Sequence, residues 1–160
     1  MSVFLAGCAV GYTRVLKIPE SNFSKYQVIE IPDLEGSSQI PIEIKKGIPD
    51  EIAKELTGQN VFAKIARSPI ETNESILLLK GKIIQYNPGS RGMRWLTGPL
   101  WGVGKGSVIV NIEFIEKESG KKLAESRFEG EIKGGFFGGG IEETHAKIAN
   151  EISQFVKSNL

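Results

Sequence analysis

Residues 118–132 read ESGKKLAESRFEGEI and carry the clearest structural pattern of the 160-residue chain. Over most of this stretch, small or apolar side chains alternate with charged ones. The first set is Ala124, Ser126, Phe128, Gly130 and Ile132, and the second is Glu125, Arg127, Glu129 and Glu131. This two-residue period is that of a β-strand, whose successive side chains point to opposite faces of a sheet. The stretch therefore predicts a strand with one face buried against the core and one face exposed to solvent, which we call the wet face.

A hairpin is predicted to join this strand to the one before it. Residues 118–121, Glu-Ser-Gly-Lys, have the composition of a tight turn. Residues 108–115 alternate in the same way before that turn. Three further strands are predicted from apolar runs bounded by turn residues, at 26–31, 61–67 and 75–86. Residues 40–44 are predicted to form a short extended piece within a loop.

Two helices are predicted, and the clearer one is the last segment of the chain. Its apolar stripe at helical spacing comprises Ile141, His145, Ile148, Ala149, Ile152, Phe155 and Val156. We expect His145 to pack at the margin of the core beside its neighbours on this stripe. The other helix is predicted to begin at Pro49, which a first helical turn tolerates, and to end at Gly58.

The predicted order is strand, helix, four strands, helix. A sheet with one wet face requires both helices on its other face. We therefore expect an α/β fold of the α+β type, a two-layer sandwich with two helices on one face of a single mixed, mostly antiparallel sheet of about five strands. Residues 26–160 are expected to form this single domain, and residues 1–25 a truncated lipoprotein-type signal and a tether.

The wet face is not uniformly polar. Its predicted charged residues, Lys80, Glu113, Glu125, Arg127 and Glu129, share their parity with the aliphatic residues Ile76, Leu78, Ile84, Ile109 and Ile115. Contiguous exposed aliphatic side chains mark contact sites. We expect either the N-terminal segment or a second subunit to cover them, and a homo-oligomer through the sheet face is one expected arrangement.

The counts of rare residues exclude several classes of site. Cys8 and His145 are the only cysteine and histidine, so the chain can form neither an internal disulfide nor a zinc site of four such ligands. No serine lies in a Gly-x-Ser-x-Gly motif. A net charge of +1 argues against a nucleic-acid partner held by overall charge. We expect a protein that is not an enzyme and that uses no metal and no other cofactor.

The single cysteine lies within a motif. Leu5-Ala6-Gly7-Cys8 resembles the lipobox of bacterial lipoproteins, in which a peptidase cuts before the cysteine and the thiol then carries the lipid. An acyl chain on Cys8 would hold the domain at a membrane surface without spanning it. The alternative is a free cysteine buried in an N-terminal apolar stretch.

Glycine is concentrated in residues 87–106 and 134–140, which hold 11 of the 19 glycines. The first stretch lies within residues 75–112, which lack any acid, and holds Arg91, Arg94, Trp95, Trp101 and Lys105. Basic and aromatic side chains together suit phosphates or lipid headgroups. We expect these five residues to bind a ligand or partner. The alternative is a structural crossover in which the arginines bind nearby carbonyls or a glutamate.

Two neighbouring features are predicted to be structural. Lys80 and Lys82 are expected to pair across strands with the glutamates of the following hairpin. In the second glycine-rich stretch, Phe136 and Phe137 are expected to pack onto the core while the glycines let the chain turn. Neither glycine-rich stretch matches a nucleotide-binding motif at its required spacing.

Several short motifs together resemble one family. They are Leu79-Lys80-Gly81, Tyr86-Asn87-Pro88-Gly89-Ser90-Arg91 followed by Arg94, Gly98 and Gly102, then Ser119-Gly120-Lys121, and the glycine-rich residues 134–139. Over residues 26–156 the chain resembles the bacterial lipoproteins of domain of unknown function family 4410. The resemblance implies a lipid-anchored envelope protein with an α/β domain related to the N-terminal domain of TolB and to curli-assembly lipoproteins. It implies no catalytic residues.

One function is expected, with two alternatives. We expect a non-enzymatic lipoprotein domain of the bacterial cell envelope, on the periplasmic side of the outer membrane, that binds another envelope protein or the lipid surface. The first alternative is a soluble cytoplasmic module that binds an acidic ligand through the basic glycine-rich loop 87–106. The second is a hydrolase with His145 as its base.

The lipobox motif predicts that Cys8 is the lipid attachment point. Metabolic labelling with a fatty acid should mark the wild-type protein in its native host. The Cys8→Ser variant should carry no label, because a hydroxyl cannot replace the thiol that accepts the lipid. Unlabelled wild-type protein would contradict the prediction.

Overall fold

A computed structural model describes residues 9–19, 22–87, 107–132 and 141–160. The described strands are β1 (Ala9–Lys17), β2 (Val28–Glu30), β3 (Lys64–Ala66), β4 (Ile76–Asn87), β5 (Ser107–Glu116) and β6 (Lys121–Ile132). The described helices are α1 (Ile42–Gln59), between β2 and β3, and α2 (Ile141–Ser158), after β6.

The strands form one open sheet of six strands in the order β1-β6-β5-β4-β2-β3. Neighbours from β1 to β4 are antiparallel, whereas β2 runs parallel to both β4 and β3. Both helices contribute to one core with a single face of the sheet. The predicted two-layer α+β sandwich with a mixed, mostly antiparallel sheet is confirmed, with six strands in place of about five.

Aromatic rings connect the layers of this core. The Phe114 ring of β5 stacks against Phe23 on one side and Phe155 of α2 on the other, with ring centroids 5.2 and 5.1 Å apart. Phe155 also meets Phe128 of β6 edge-on at 6.0 Å. Stacked and edge-on rings add to the stability that burial alone provides. Residues before β2, the sheet and α2 are therefore packed as one unit.

The sixth strand comes from the segment expected to be a tether. Residues 9–17 form edge strand β1, which pairs with β6 from Ala9 opposite Ile132 to Lys17 opposite Glu125. An edge strand is held by backbone hydrogen bonds along one side, so it needs no strong apolar alternation. The mixed composition of this segment therefore gave no strand signal.

Helix α1 begins earlier than predicted and contains Pro49 in its interior. Residues 42–44, expected to be extended, belong to its first turn. Proline lacks the N–H that would bond the carbonyl four residues before it. Here the Leu34 N–H donates to that carbonyl, of Lys45, at 2.9 Å. The helix continues through Pro49 because the loop after β2 supplies the missing donor, which local sequence does not reveal.

The connections of β2 cover both of its faces. Helix α1 links β2 to β3 on one face, and residues 67–75 return from β3 to β4, which is also parallel to β2. The Ile70 N–H of this return segment donates to the Glu30 carboxylate at 3.4 Å, and Lys117 Nζ lies 2.5 Å from the same carboxylate oxygen. Glu30 is only 3% exposed, so this pairing satisfies a buried charge.

Arg67, just after β3, binds both aspartates of the chain. Its Nη2 donates to Asp33 at 2.8 Å and its Nε to Asp50 at 2.7 Å. The guanidinium also donates to the Ile31 carbonyl. A planar group with several fixed donors suits such multiple contacts. Arg67 thereby joins β3, the loop after β2 and α1.

The β5–β6 turn lies at one end of the sheet, and a polar cluster beside it fixes the residues that precede β2. Lys25 Nζ and the Tyr26 hydroxyl donate to Glu116 Oε1 at 2.7 and 2.9 Å, and Ser119 Oγ donates to Oε2 at 2.6 Å. These donors, chiefly Lys25, lower the pKa of Glu116 to about 2.

Gly81→Ala is expected to destabilise the fold by about 1–3 kcal/mol, because the core around Gly81 has no room for a methyl group. A Cβ at this position would lie 2.3 Å from Leu34 Cδ2 and 2.7 Å from Ile112 Cδ1. Gly58→Ala is the matched control, since nothing lies within 4 Å of a Cβ there. It should stabilise α1 by roughly 0.5–1 kcal/mol. Equal urea midpoints for wild type and Gly81→Ala would contradict the prediction.

Glu116→Gln is expected to lower stability at neutral pH by an amount that disappears in acid. The folded-state pKa of about 2 lies below the ordinary value of 4.5, so the carboxylate stabilises the fold above pH 4.5 and this contribution is lost as the pH falls toward 2. Denaturant unfolding across that range measures the gap between wild type and variant. Glu118→Gln, at an exposed position in the same turn, is the control and should show no such gap. A gap unchanged near pH 2 would refute the assignment.

Candidate functional site at one end and one face of the sheet

The residues predicted for lipid attachment and ligand binding, Cys8, Arg91, Arg94, Trp95, Trp101 and Lys105, lie outside the described residues, as do Phe136 and Phe137. Their roles stay predictions. The structure does describe where the segments that carry them join the sheet. Residues 88–106 connect β4 to β5, and residues 133–140 connect β6 to α2.

Strand register places all of these junctions at one end of the sheet. Asn87 at the end of β4 is opposite Ser107 at the start of β5, and Ser107 is opposite Glu131 near the end of β6. Ala9, the first residue of β1, is opposite Ile132. We call this edge of the molecule the loop end. The β5–β6 turn lies at the other end of the strands, which we call the far end.

The sheet face away from the helices, called the outer face below, is rich in charge. It presents Arg14, Lys80, Lys82, Asn111, Glu113, Lys122, Glu125, Arg127 and Glu129. Lys122 binds both Glu113 and Glu125, and these two carboxylates raise its pKa. The pKa of Glu125 is lowered, first by the Asn111 amide, which donates to it at 2.8 Å, and then by Lys122.

The predicted pairing of Lys80 and Lys82 with the glutamates of the hairpin is wrong among the described residues. Lys80 is opposite Glu113 in register, but its ammonium pairs with Glu35 at 3.2 Å because Glu113 is engaged by Lys122. Lys82 is opposite Asn111 and has no carboxylate within 4 Å in the described part of the chain. The loop after β2, which the sequence did not place beside β4, supplies the partner for Lys80.

A row of three cations crosses the outer face. Arg14, Arg127 and Lys82 lie on one line across the sheet, with Asn111 between Arg127 and Lys82. None of these three cations lies within 4 Å of a carboxylate of the described residues, and Glu129 also lacks such a pair there. Arg14 and Arg127 are directly opposite each other, an arrangement that repels.

Two buried polar atoms in this row have no hydrogen-bond partner among the described residues. They are Arg127 Nε and Asn111 Oδ1, on residues opposite each other in β6 and β5. A buried polar atom without a partner costs roughly 1–3 kcal/mol. Within the described ranges, the outer face therefore holds three cations with no carboxylate within 4 Å and two buried polar atoms with no hydrogen-bond partner.

The five aliphatic side chains expected on this face differ in their solvent exposure. Ile76 is buried at 5% exposure, Leu78, Ile109 and Ile115 are intermediate, and Ile84 is 44% exposed. The return segment that contains Ile70 covers part of the face near β2. Of the two expected covers, the N-terminal segment or a second subunit, the described part of the first, residues 9–17, extends the sheet as edge strand β1.

His145 lies on the buried face of α2, as its position on the apolar stripe predicted. A Cβ built on Gly47 of α1 would be 3.9 Å from His145 Nδ1, so the imidazole faces the contact between the two helices. Its burial at 9% exposure places it inside the fold.

Among residues 9–19, 22–87, 107–132 and 141–160, no group of three or more His, Cys, Asp and Glu side chains is placed to hold a metal ion. Neither helix described is long and apolar enough to cross a membrane.

The fold is similar to that of known structures. Two structures of the PelC dodecamer from Paraburkholderia phytofirmans, one of a point variant, match with TM-scores of 0.61 and 0.62 and identities of 16% and 15%. The matches cover 90% of this chain and 95% or 96% of the PelC chain. A Xanthomonas campestris protein of the DUF330 family matches with a TM-score of 0.53 and 9% identity, over 84% of this chain and 88% of that chain. At these identities the likeness is one of fold.

The chain matches one family at the level of its sequence. No curated protein sequence matches the chain. The sequence profile of the family described as "Domain of unknown function (DUF4410)" matches residues 20–132, which is more than half of the chain and includes five of the six described strands, β2 to β6. Because the match runs from the residues before β2 to the end of β6, the chain belongs to the DUF4410 family.

Proposed function

We propose that this chain is a non-enzymatic, lipid-anchored domain of the bacterial cell envelope, on the periplasmic side of the outer membrane, that binds another envelope component. One observation carries the proposal: the register puts the residue after Cys8 and both glycine-rich connections at the loop end. The Leu5-Ala6-Gly7-Cys8 motif supplies the lipid attachment point at that same end.

The basic and aromatic residues of the first glycine-rich stretch suit this location. Arg91, Arg94 and Lys105 carry the charge that anionic headgroups attract, and Trp95 and Trp101 are of the type enriched where lipid meets water. Because their stretch leaves the sheet at the same end as the strand that follows Cys8, a lipid surface is within reach of both. These residues are proposed to contact the membrane or a partner held on it.

We propose that the outer face binds the other envelope component, and that this component is a second copy of this chain. The face holds three cations and Glu129 without ion pairs among the described residues. A second copy related by a two-fold axis would bring its own Glu129 to cations of the first, and the reverse contact would form at once. The fold is also one that PelC uses in a dodecamer.

This proposal is tested by reversing charge on the outer face. The full chain with Cys8→Ser is expected to self-associate in sedimentation equilibrium at low salt. Adding Arg14→Glu and Lys82→Glu should weaken association by about tenfold or more, because the two carboxylates introduced at these positions would repel Glu129 of the other copy. Both side chains are exposed, so the fold should survive the change.

A matched control changes the net charge of the chain by the same amount. Lys46→Glu and Lys157→Glu alter two exposed lysines on the helices and should leave association unchanged. A wild-type chain that stays monomeric, or equal weakening by both pairs of substitutions, would refute the second copy as the partner of this face.

A further inference from the structure

We infer that the loop end of the domain lies directly on the lipid headgroups, with the strands rising from the membrane and the far end directed away from it. This inference rests on the proposed function, because it requires the lipid on Cys8. It adds the orientation of the domain, which neither the motif nor the family match supplies.

The absence of a spacer carries the inference. Ala9, bonded to Cys8, is already opposite Ile132 in the sheet. Adjacent Cα atoms lie about 3.8 Å apart, so a lipid on Cys8 cannot be farther than one residue from the edge of β1. A free tether over residues 11–25 would instead have spanned up to about 50 Å and left the domain free to turn.

The same register gives the distances of other parts of the domain from the membrane surface. Gln85 of β4 lies two residues from the loop end, and Leu77 of β4 is opposite Glu116 beside the far-end turn. Eight residues of strand at about 3.3 Å each separate these levels by roughly 25 Å. Glu118, in the far-end turn, should therefore stand about 25 Å farther from the bilayer than Gln85.

This orientation explains how the outer face could meet a neighbour. With the strands perpendicular to the membrane, the face that carries Arg14, Arg127 and Lys82 is also perpendicular to the membrane plane. Copies anchored in one leaflet would approach this face from the side. The lipid would then restrict both molecules to the orientation in which their outer faces can meet.

Energy transfer from the protein to the membrane tests the inference. Cys8 is the only cysteine, and its thiol would be consumed by the lipid, so an introduced cysteine is a unique labelling site. The lipidated full chain with Gln85→Cys or Glu118→Cys, both exposed positions, is labelled with a donor and placed in vesicles that carry a headgroup acceptor. Transfer is expected to be about threefold or more higher from position 85 than from position 118, given the difference of roughly 25 Å.

A variant with a spacer tests whether the short link between Cys8 and β1 is what fixes the orientation of the domain. About ten glycine and serine residues inserted between Cys8 and Ala9 should reduce transfer from position 85 toward that from position 118, since such a chain is flexible. Equal transfer from the two positions, or no effect of the insertion, would overturn the inference while leaving the lipid anchor intact. A chain that takes up no fatty acid would instead refute the proposed function itself.

Discussion

The ladder of backbone hydrogen bonds that joins β4, β5, β6 and β1 sets a register on which the other features depend. Side chains alternate between faces, so a slip of one residue would move Arg127 and Glu129 into the core and Phe128 into water. Two glycines on the helix face hold this register. A Cβ at Gly81 would meet Leu34 at 2.3 Å, and one at Gly130 would meet Thr144 at 2.5 Å. Only this register lets the loop after β2 and helix α2 approach the sheet so closely.

Charged groups at the far end and in one row of the outer face differ in whether they have partners among the described residues. At the far end, Glu116 accepts from Lys25, Tyr26 and Ser119, and the buried Glu30 is paired with Lys117. On the outer face, by contrast, Arg127 Nε is buried without a partner among the described residues. Charges that serve stability alone are usually paired where they are buried. The contrast is the reason for assigning binding to the outer face and structure to the far end.

Much of the fold and less of the site could be predicted from the sequence. The alternation in residues 118–132 and the apolar stripe of the last helix gave the two-layer sandwich, and the stripe also placed His145. Strand β1 was missed because an edge strand needs only backbone partners, and with it Arg14 was missed as a member of the outer face. The start of α1 was misplaced because Pro49 is tolerated through a bond from Leu34, which is distant along the chain.

By itself, the sequence determined which side chains share a face, because that depends only on the two-residue and helical periods of local segments. It also determined the chemistry available at the lipobox motif and in the glycine-rich stretches. Only the tertiary structure decided that Ala9 is opposite Ile132 and that Asn87, Ser107 and Glu131 share one end. Strand order and register join residues more than a hundred positions apart through backbone bonds that any residue except proline can make, so local composition does not encode them.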